Sequence, residues 1–346
     1  MQGKRKVLVV GAGAIGGTLG ALLSRAGLDV VFLVRSGDAA ARINADGLTV
    51  RGVQGTFTVR PRAEASIERL AGPFHCVMVA VKAYDLSAAL RPILPVIPGD
   101  CPVLSLQNGI CIEELEGLVG RTRAVGCVVG WGATLRGPGE VELTSEAELV
   151  IGCRSSGGRG QLEEARALLS GALHVTTSDD ILAELYSKLI INSCITTLGA
   201  LSGRTLGWMV GRRLYRSAFI GIMREAMAAA DAAGIRVPPY GDRLDYSSFL
   251  MGDGPLDGVR RHLVLRVMGA KYRRLKSSGL QSLERGRPTE VDYFNGYIAR
   301  TARQHGRAAP LNERLTAMVH EIEARTRTIS AGNITREMLS DFPPRD

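Results

Sequence analysis

Six residues near the amino terminus constrain this chain more than any others. Gly11-Ala12-Gly13-Ala14-Ile15-Gly16 follows the β-branched run Val7-Leu8-Val9-Val10 and leads into residues 15–25, which carry helical spacing. A glycine loop between a strand and a helix has a specific physics. Gly11 allows a tight turn, Gly13 lets backbone N–H groups approach a pyrophosphate, and Gly16 lets the helix lie against the strand. The helix N-terminus then faces the phosphates. The expected ligand of Gly11, Ala12, Gly13, Ala14, Ile15 and Gly16 is therefore a dinucleotide; the alternative is a tight turn with no ligand. The second apolar run, 29–34, ends at Arg35. An acidic residue there would suit a ribose 2′-hydroxyl, and a basic one suits a 2′-phosphate, so Arg35 points to NADP(H) unless it is simply solvated.

The rhythm after the loop continues the theme. Short apolar runs at 76–81 and 103–106 are each followed by a helical pattern, at 86–94 and 112–119, and a hairpin is expected over 48–60 with Gln54-Gly55 at its turn. Strand and helix in alternation predict a parallel sheet covered on both faces. Residues 125–152 read as alternating strands, expected at an antiparallel edge, and 162–169 and 175–177 close this half. From 179 onward the texture is helical, with patterns at 181–201, 215–233, 291–304 and 311–327. The expected architecture is α/β: an N-terminal Rossmann-type domain, 1–178, followed by an all-α domain, 179–346. Within the second, 236–276 reads as an extended loop or insertion, because 236–258 is rich in Pro, Gly and Asp.

Composition narrows the function classes. With 43 basic against 34 acidic residues the net charge is +9, compatible with an anionic ligand. Aromatic residues are only 5%, which argues against a nucleic-acid surface built from stacking platforms. Six cysteines without a C-x-x-C pair argue against a metal centre or a disulfide framework and for a reducing compartment. The uncharged run 7–23 follows basic residues as a signal peptide would, yet its glycines do not fit one, and no later stretch reads as long enough to span a bilayer. The expectation is a cytoplasmic protein with a small-molecule ligand and neither membrane nor nucleic-acid partner; a homodimer is left open.

Polar residues at the ends of apolar runs mark a second layer of candidates. Lys82 follows V-A-V and Asn108 follows L-S-L-Q, where ligands of open parallel sheets lie. Lys188, Asn192 and Thr196 recur at four-residue spacing, so they share one face of an otherwise apolar helix. A lysine there can donate a proton to an alkoxide formed by hydride delivery, or it can reach out to solvent.

Taken together, G-A-G-A-I-G, V-K-A-Y (81–84), Q-N-G (107–109), K-L-I-I-N (188–192) and R-P-T-E-V-D-Y-F-N-G (287–296) resemble the ketopantoate reductase family from about residue 6 to residue 328. The resemblance implies reduction of 2-dehydropantoate to (R)-pantoate with NADPH, on the route to pantothenate and coenzyme A. It implies cofactor contacts at residues 11–16, Arg35, Lys82, Asn108 and Glu290. It also implies Lys188 as general acid, Glu290 as its acidic partner, and Asn192, Thr196, Ser278 and Asn108 around the substrate. Read without the family, Glu290 is better taken as a structural, capping carboxylate in the first turn of a helix after Pro288-Thr289. Two departures stand out: Thr196 occupies a position where the family usually has asparagine, and 236–276 is longer than in compact members. Its second part carries Arg260, Arg261, Arg266, Lys271, Arg273, Arg274 and Lys276, read as a solvated helix face. These departures keep open another branched 2-oxo acid or an opine-type substrate. A non-catalytic NADP-sensing or nucleic-acid-binding protein is the alternative from a different class.

Overall fold

Val7, Leu8 and Val9 have no exposed surface, so the first strand, β1 (Lys6–Val10), has no solvent face. An unbroken apolar run of this kind belongs inside a parallel sheet covered on both sides. The computed structural model describes residues 5–241, 244–252, 254–270 and 272–340. It comprises two compact units, one ending at Leu185 and the other beginning at Tyr186.

In the first unit β1 is followed by β2 (Asp29–Leu33), β3 (Leu48–Gly52), β4 (Phe57–Val59), β5 (Arg62–Glu64), β6 (Cys76–Val79) and β7 (Val103–Ser105). Then come β8 (Ala124–Val129), β9 (Gly132–Gly137), β10 (Glu140–Ser145), β11 (Leu149–Gly152) and β12 (Val175–Thr177). The helices are α1 (Ala14–Arg25), α2 (Gly37–Asp46), α3 (Leu86–Leu90), α4 (Ile112–Val119) and α5 (Arg159–Leu169). Eight strands form the main sheet in the order β12-β11-β8-β7-β6-β1-β2-β5. All its pairings are parallel except β11 with β8. The chain winds from β1 to β2 and β5, then returns to the other side of β1 through β6 and β7. In open sheets of this kind ligands lie where the strand order reverses, here at the carboxyl ends of β1 and β6.

The hairpin β3–β4 forms as expected, but its surroundings correct the reading of 125–152 as one edge. β9 and β10 leave the main sheet, and β10 pairs in parallel with β3 to give a second sheet, β4-β3-β10-β9. Burial is the reason: Leu48, Val50, Val141 and Leu143 are all at most 2% exposed, and this sheet packs over α1, where a Cβ on Gly17 would lie 3.0 Å from Val141 Cγ1. Covered on both sides, α1 is buried from Gly16 to Leu23, which accounts for the uncharged run. The short α2 and β5 escaped the sequence reading. The pattern at 86–94 breaks into α3 and a 3-10 turn, Arg91–Val96, where Pro92 and Pro95 remove the backbone donors an α-helix needs.

The remaining helices are α6 (Ile181–Ser202), α7 (Leu206–Val210), α8 (Arg213–Ala232), α9 (Tyr246–Leu250), α10 (Pro255–Ala270), α11 (Ser278–Glu284), α12 (Asn295–Gln304), α13 (Pro310–Glu323) and α14 (Arg336–Ser340). Contrary to the sequence reading, one of them, α6, is long and apolar enough to cross a bilayer; 67% of that window is buried inside the protein. A polar network runs through the helical unit. Thr197 on α6 donates to Asn295 on α12, Asn295 donates to Asn312 on α13 at 2.9 Å, and Asn312 donates to Glu225 on α8 at 2.7 Å. Glu225 also accepts the N–H groups of Leu311 and Asn312, both at 2.9 Å, and so caps α13. Burial pushes its carboxyl upward in pKa, and these hydrogen bonds oppose the shift.

Residues 236–276 are not an extended loop: they contain α9, capped by Asp245, and α10. The arginine cluster is correspondingly not a uniformly solvated face. Arg260 donates to the carbonyls of Ser248, Phe249 and Met251, and the buried Arg261 to those of Leu250 and Gly252. Carbonyls at a helix end lack intrahelical donors, and two guanidinium groups supply them here. Lys276 pairs with Glu284, Arg266, Arg273 and Arg274 are exposed, and Lys271 lies outside the described residues.

Candidate active site

The first unit gathers its candidates along one edge of the main sheet. The glycine loop follows β1, Arg35 follows β2, Lys82 follows β6 and Asn108 follows β7. The strand order β7-β6-β1-β2 therefore sets Asn108, Lys82, the loop and Arg35 in a row at the carboxyl ends.

Gly11 has φ +101° and its N–H donates to the Leu33 carbonyl at 2.8 Å, a left-handed conformation that costs glycine little and other residues much. Gly16 is required by proximity, since a Cβ there would come within 2.7 Å of Ala80 Cβ and closer still to the Gly11 carbonyl. Gly13 differs from both. It is the N-cap of α1, has no side-chain cap, and a Cβ on it would meet nothing within 4 Å. The first turn of α1 contains no acidic residue. Bare N–H groups at a helix N-terminus beside open space fit a diphosphate. Ala12, Ala14 and Ile15 complete this loop.

The neighbouring exits are tied together. Ser105 donates to Gln107 at 3.0 Å, and Gln107 donates to the Lys82 carbonyl at 3.2 Å, which joins the end of β7 to the end of β6. Lys82 stands before the 3-10 turn Ala83–Asp85. Asp85 accepts a hydrogen bond from Arg35 at 2.6 Å. Gly109, at φ +83°, turns the chain beyond Asn108. Gln107 and Asp85 were not singled out from the sequence; Gln107 was visible only inside Q-N-G, and Asp85 carried no local signal.

In the helical unit, α6 is buried nearly all round. Its partly accessible positions are 182, 184, 188, 191, 192 and 195, so Lys188 and Asn192 lie one turn apart on the open stripe. Thr196 is 7% exposed and does not open with them. It faces the start of α11 instead. Ser277 caps that helix by accepting from the Leu280 N–H at 3.2 Å, and donates to the Thr196 carbonyl at 3.3 Å. Ser278 is the first residue of α11 and half-buried. Thr196 and Thr197 also line a small pocket with Ala200, Thr289, Val291 and Val319. Thr196, the α11 start and the segment before Glu290 are thus neighbours.

Glu290 is 4% exposed. It precedes the 3-10 turn Val291–Tyr293 and makes no side-chain cap hydrogen bond, so the helix-capping reading of this carboxylate is set aside. The helix expected over 291–304 begins only at Asn295, after Phe294 leaves helical conformation at φ −115°, ψ −97°. Among the described residues, no group of three His, Cys, Asp or Glu could hold a metal ion.

Comparison with known proteins identifies the family and the fold. Residues 7–156 match the family described as ketopantoate reductase PanE/ApbA, and residues 180–323 match ketopantoate reductase PanE/ApbA C terminal. The chain is 30% identical over 320 residues to a 2-dehydropantoate 2-reductase of Pyrococcus horikoshii, covering 92% of this chain and 98% of that one. Among solved structures, a PanE/ApbA family ketopantoate reductase from Ralstonia eutropha is similar at a TM-score of 0.78 and 29% identity, over 93% of this chain and 100% of that one. A D-mandelate dehydrogenase solved with NADH and anilino(oxo)acetate shares the fold at a TM-score of 0.79 and 22% identity, over 92% and 99% of the two chains.

Proposed function

Because this chain belongs to the ketopantoate reductase PanE/ApbA family of oxidoreductases, we propose that it reduces 2-dehydropantoate to (R)-pantoate with NADPH. The reading is carried by α6, a helix buried on nearly every side that leaves an ammonium and an amide, Lys188 and Asn192, on its open stripe. A bound nicotinamide supplies the hydride that reduces C2 of the substrate. Lys188 stabilises the negative charge that develops on the carbonyl oxygen and donates the proton to it. Asn192 and Ser278 hold the substrate's carboxylate and hydroxyl groups, with Asn108 serving cofactor and substrate; Thr196, buried under the start of α11, supports that wall from behind. Glu290 orients the Lys188 ammonium or the product hydroxyl and touches the cofactor. In the first unit, the bare N-terminus of α1 holds the diphosphate, Arg35 the 2′-phosphate, and Lys82 the neighbouring cofactor groups. Catalysis then comes chiefly from alignment and charge stabilisation. Such an enzyme works in the cytoplasm on a small, diffusible acid.

A second reading, reduction of another branched 2-oxo acid, is favoured by two features of this chain: Thr196 in place of an amide, and the helices built into 236–276. Oxidation of NADPH with 2-dehydropantoate, measured against a panel of 2-oxo acids, separates the two. A preference for 2-dehydropantoate supports the first reading. Turnover of another acid with none of 2-dehydropantoate supports the second, and turnover of none overturns both.

A further inference from the structure

We propose that Glu323, at the end of α13, is a positioning residue for Glu290 and acts through Thr289. The inference rests on the reading of Glu290 as a group of the reaction. Oε1 of Glu323 accepts two hydrogen bonds from Thr289, from the N–H at 2.7 Å and from the hydroxyl at 2.8 Å. The same hydroxyl accepts the N–H of Val291 at 3.2 Å. One carboxylate oxygen therefore holds Thr289, and Thr289 in turn holds Val291, on the two sides of Glu290.

The second oxygen of Glu323 is also engaged. It lies 3.0 Å from Nδ1 of His320, whose Nε2 lies 3.0 Å from Asp292. Thr289, Val291 and Asp292 are all tied in this way to the last turns of α13. The local backbone does not provide that order by itself. Glu290 sits at φ −103°, ψ 29°, outside regular helix or strand, and the turn after it is a single 3-10 turn. The backbone that carries this carboxylate, buried to 4% exposure, is set by what holds the segment. Charge-assisted hydrogen bonds from an adjacent helix are strong holders; removing groups that orient the ligands of metal sites typically changes activity by about 10–100-fold, and the lower end of that scale is expected here.

The test compares Glu323→Ala, Glu323→Gln and Thr289→Val with Glu290→Gln, using whichever 2-oxo acid the wild-type enzyme turns over. Glu323→Ala is expected to lower kcat by about tenfold or more, with any loss of NADPH affinity no larger than that of Glu290→Gln. Glu323→Gln should recover most of the loss, because its carbonyl oxygen can accept the same two bonds. Thr289→Val, which keeps the size of the side chain, should fall between them and provides the readout if Glu323→Ala does not fold. A merely structural role would lower Tm and leave kcat unchanged well below the transition; that result overturns the inference. If Glu290→Gln is impaired while both Glu323→Ala and Thr289→Val are normal, the inference alone fails. If Glu290→Gln turns over normally, the role of Glu290 fails and the inference with it.

Discussion

The guanidinium of Arg35 donates to Oδ2 of Asp85 at 2.6 Å, joining the exit of β2 to the turn after β6 across the strand that carries the glycine loop. Arg35 is 82% exposed, so the ion pair is screened and easily exchanged for a stronger anion. On the NADPH reading proposed above, a 2′-phosphate would bring more charge than one carboxylate and compete for the same guanidinium. Arg35→Ala is therefore expected to weaken NADPH by about tenfold or more while leaving NADH within about twofold. Asp85→Asn should tighten NADPH, because a like charge beside the phosphate is removed. Fluorescence titration with both cofactors checks this, and an unchanged preference in both variants removes Arg35 from the phosphate site.

Gly13 and Gly16 lie in one loop and respond oppositely to a side chain. Gly13→Val adds atoms to open space, so Tm should change little while cofactor affinity falls steeply. Gly16→Ala drives a methyl into the Gly11 carbonyl and Ala80, an overpacking that costs about 1–3 kcal/mol. Thermal melts paired with cofactor titration distinguish the two, and a Gly13 variant that binds normally counts against the diphosphate site.

Loss of Lys188 should separate chemistry from binding. Lys188→Ala is expected to lower kcat by about 100-fold or more while NADPH still binds. Single-turnover kinetics with the preferred 2-oxo acid provide the measurement. Near-normal turnover would assign the proton to another group.

Glu225 offers a test of stability unconnected to catalysis. Glu225→Ala leaves the N–H groups of Leu311 and Asn312 and the Asn312 amide without their acceptor. A loss of about 2–3 kcal/mol is expected in urea unfolding, with the chain still folded.

His320 sets a pH dependence with a definite sign. Burial by itself lowers its pKa, but the hydrogen bonds and charges of Asp292 and Glu323 outweigh burial and raise it. A raised folded-state pKa contributes stability that is fully present below the unfolded value of about 6.5 and is lost as pH rises through the folded value. The Tm difference between the wild type and His320→Gln should therefore be larger near about pH 5.5 than near about pH 8.5. Equal differences at the two pH values would mean that the imidazolium is not the bridging species.

How much could be read in advance depended on the range of each interaction. Gly11, Gly13 and Gly16 announce themselves because the turn, the uncapped helix N-terminus and the helix packing are all settled within six residues. Lys188 and Asn192 were visible because a helix repeats its face every four residues, and α6 keeps that pattern alone. Thr196 obeyed the same spacing and yet is buried, because α11 packs against it through Ser277; periodicity predicts a face and not what covers it. The segment 236–276 misled for a related reason. Its Pro and Gly content speaks for a loop, whereas the carbonyl contacts of Arg260 and Arg261 that stabilise the end of α9 are made between helices.

By itself, then, the sequence determined the strand–loop–helix unit at residues 7–25, the α/β-to-helical order and the stripe on α6, since each depends on neighbours a few residues apart. Only tertiary structure could decide that β10 pairs with β3, that Asp85 meets Arg35 from 50 residues away, and that Glu323 holds Thr289 from 34 residues away. Those contacts depend on strand order and helix packing, where the entropy of closing long loops is offset by burial and directional hydrogen bonds, and no local pattern encodes them.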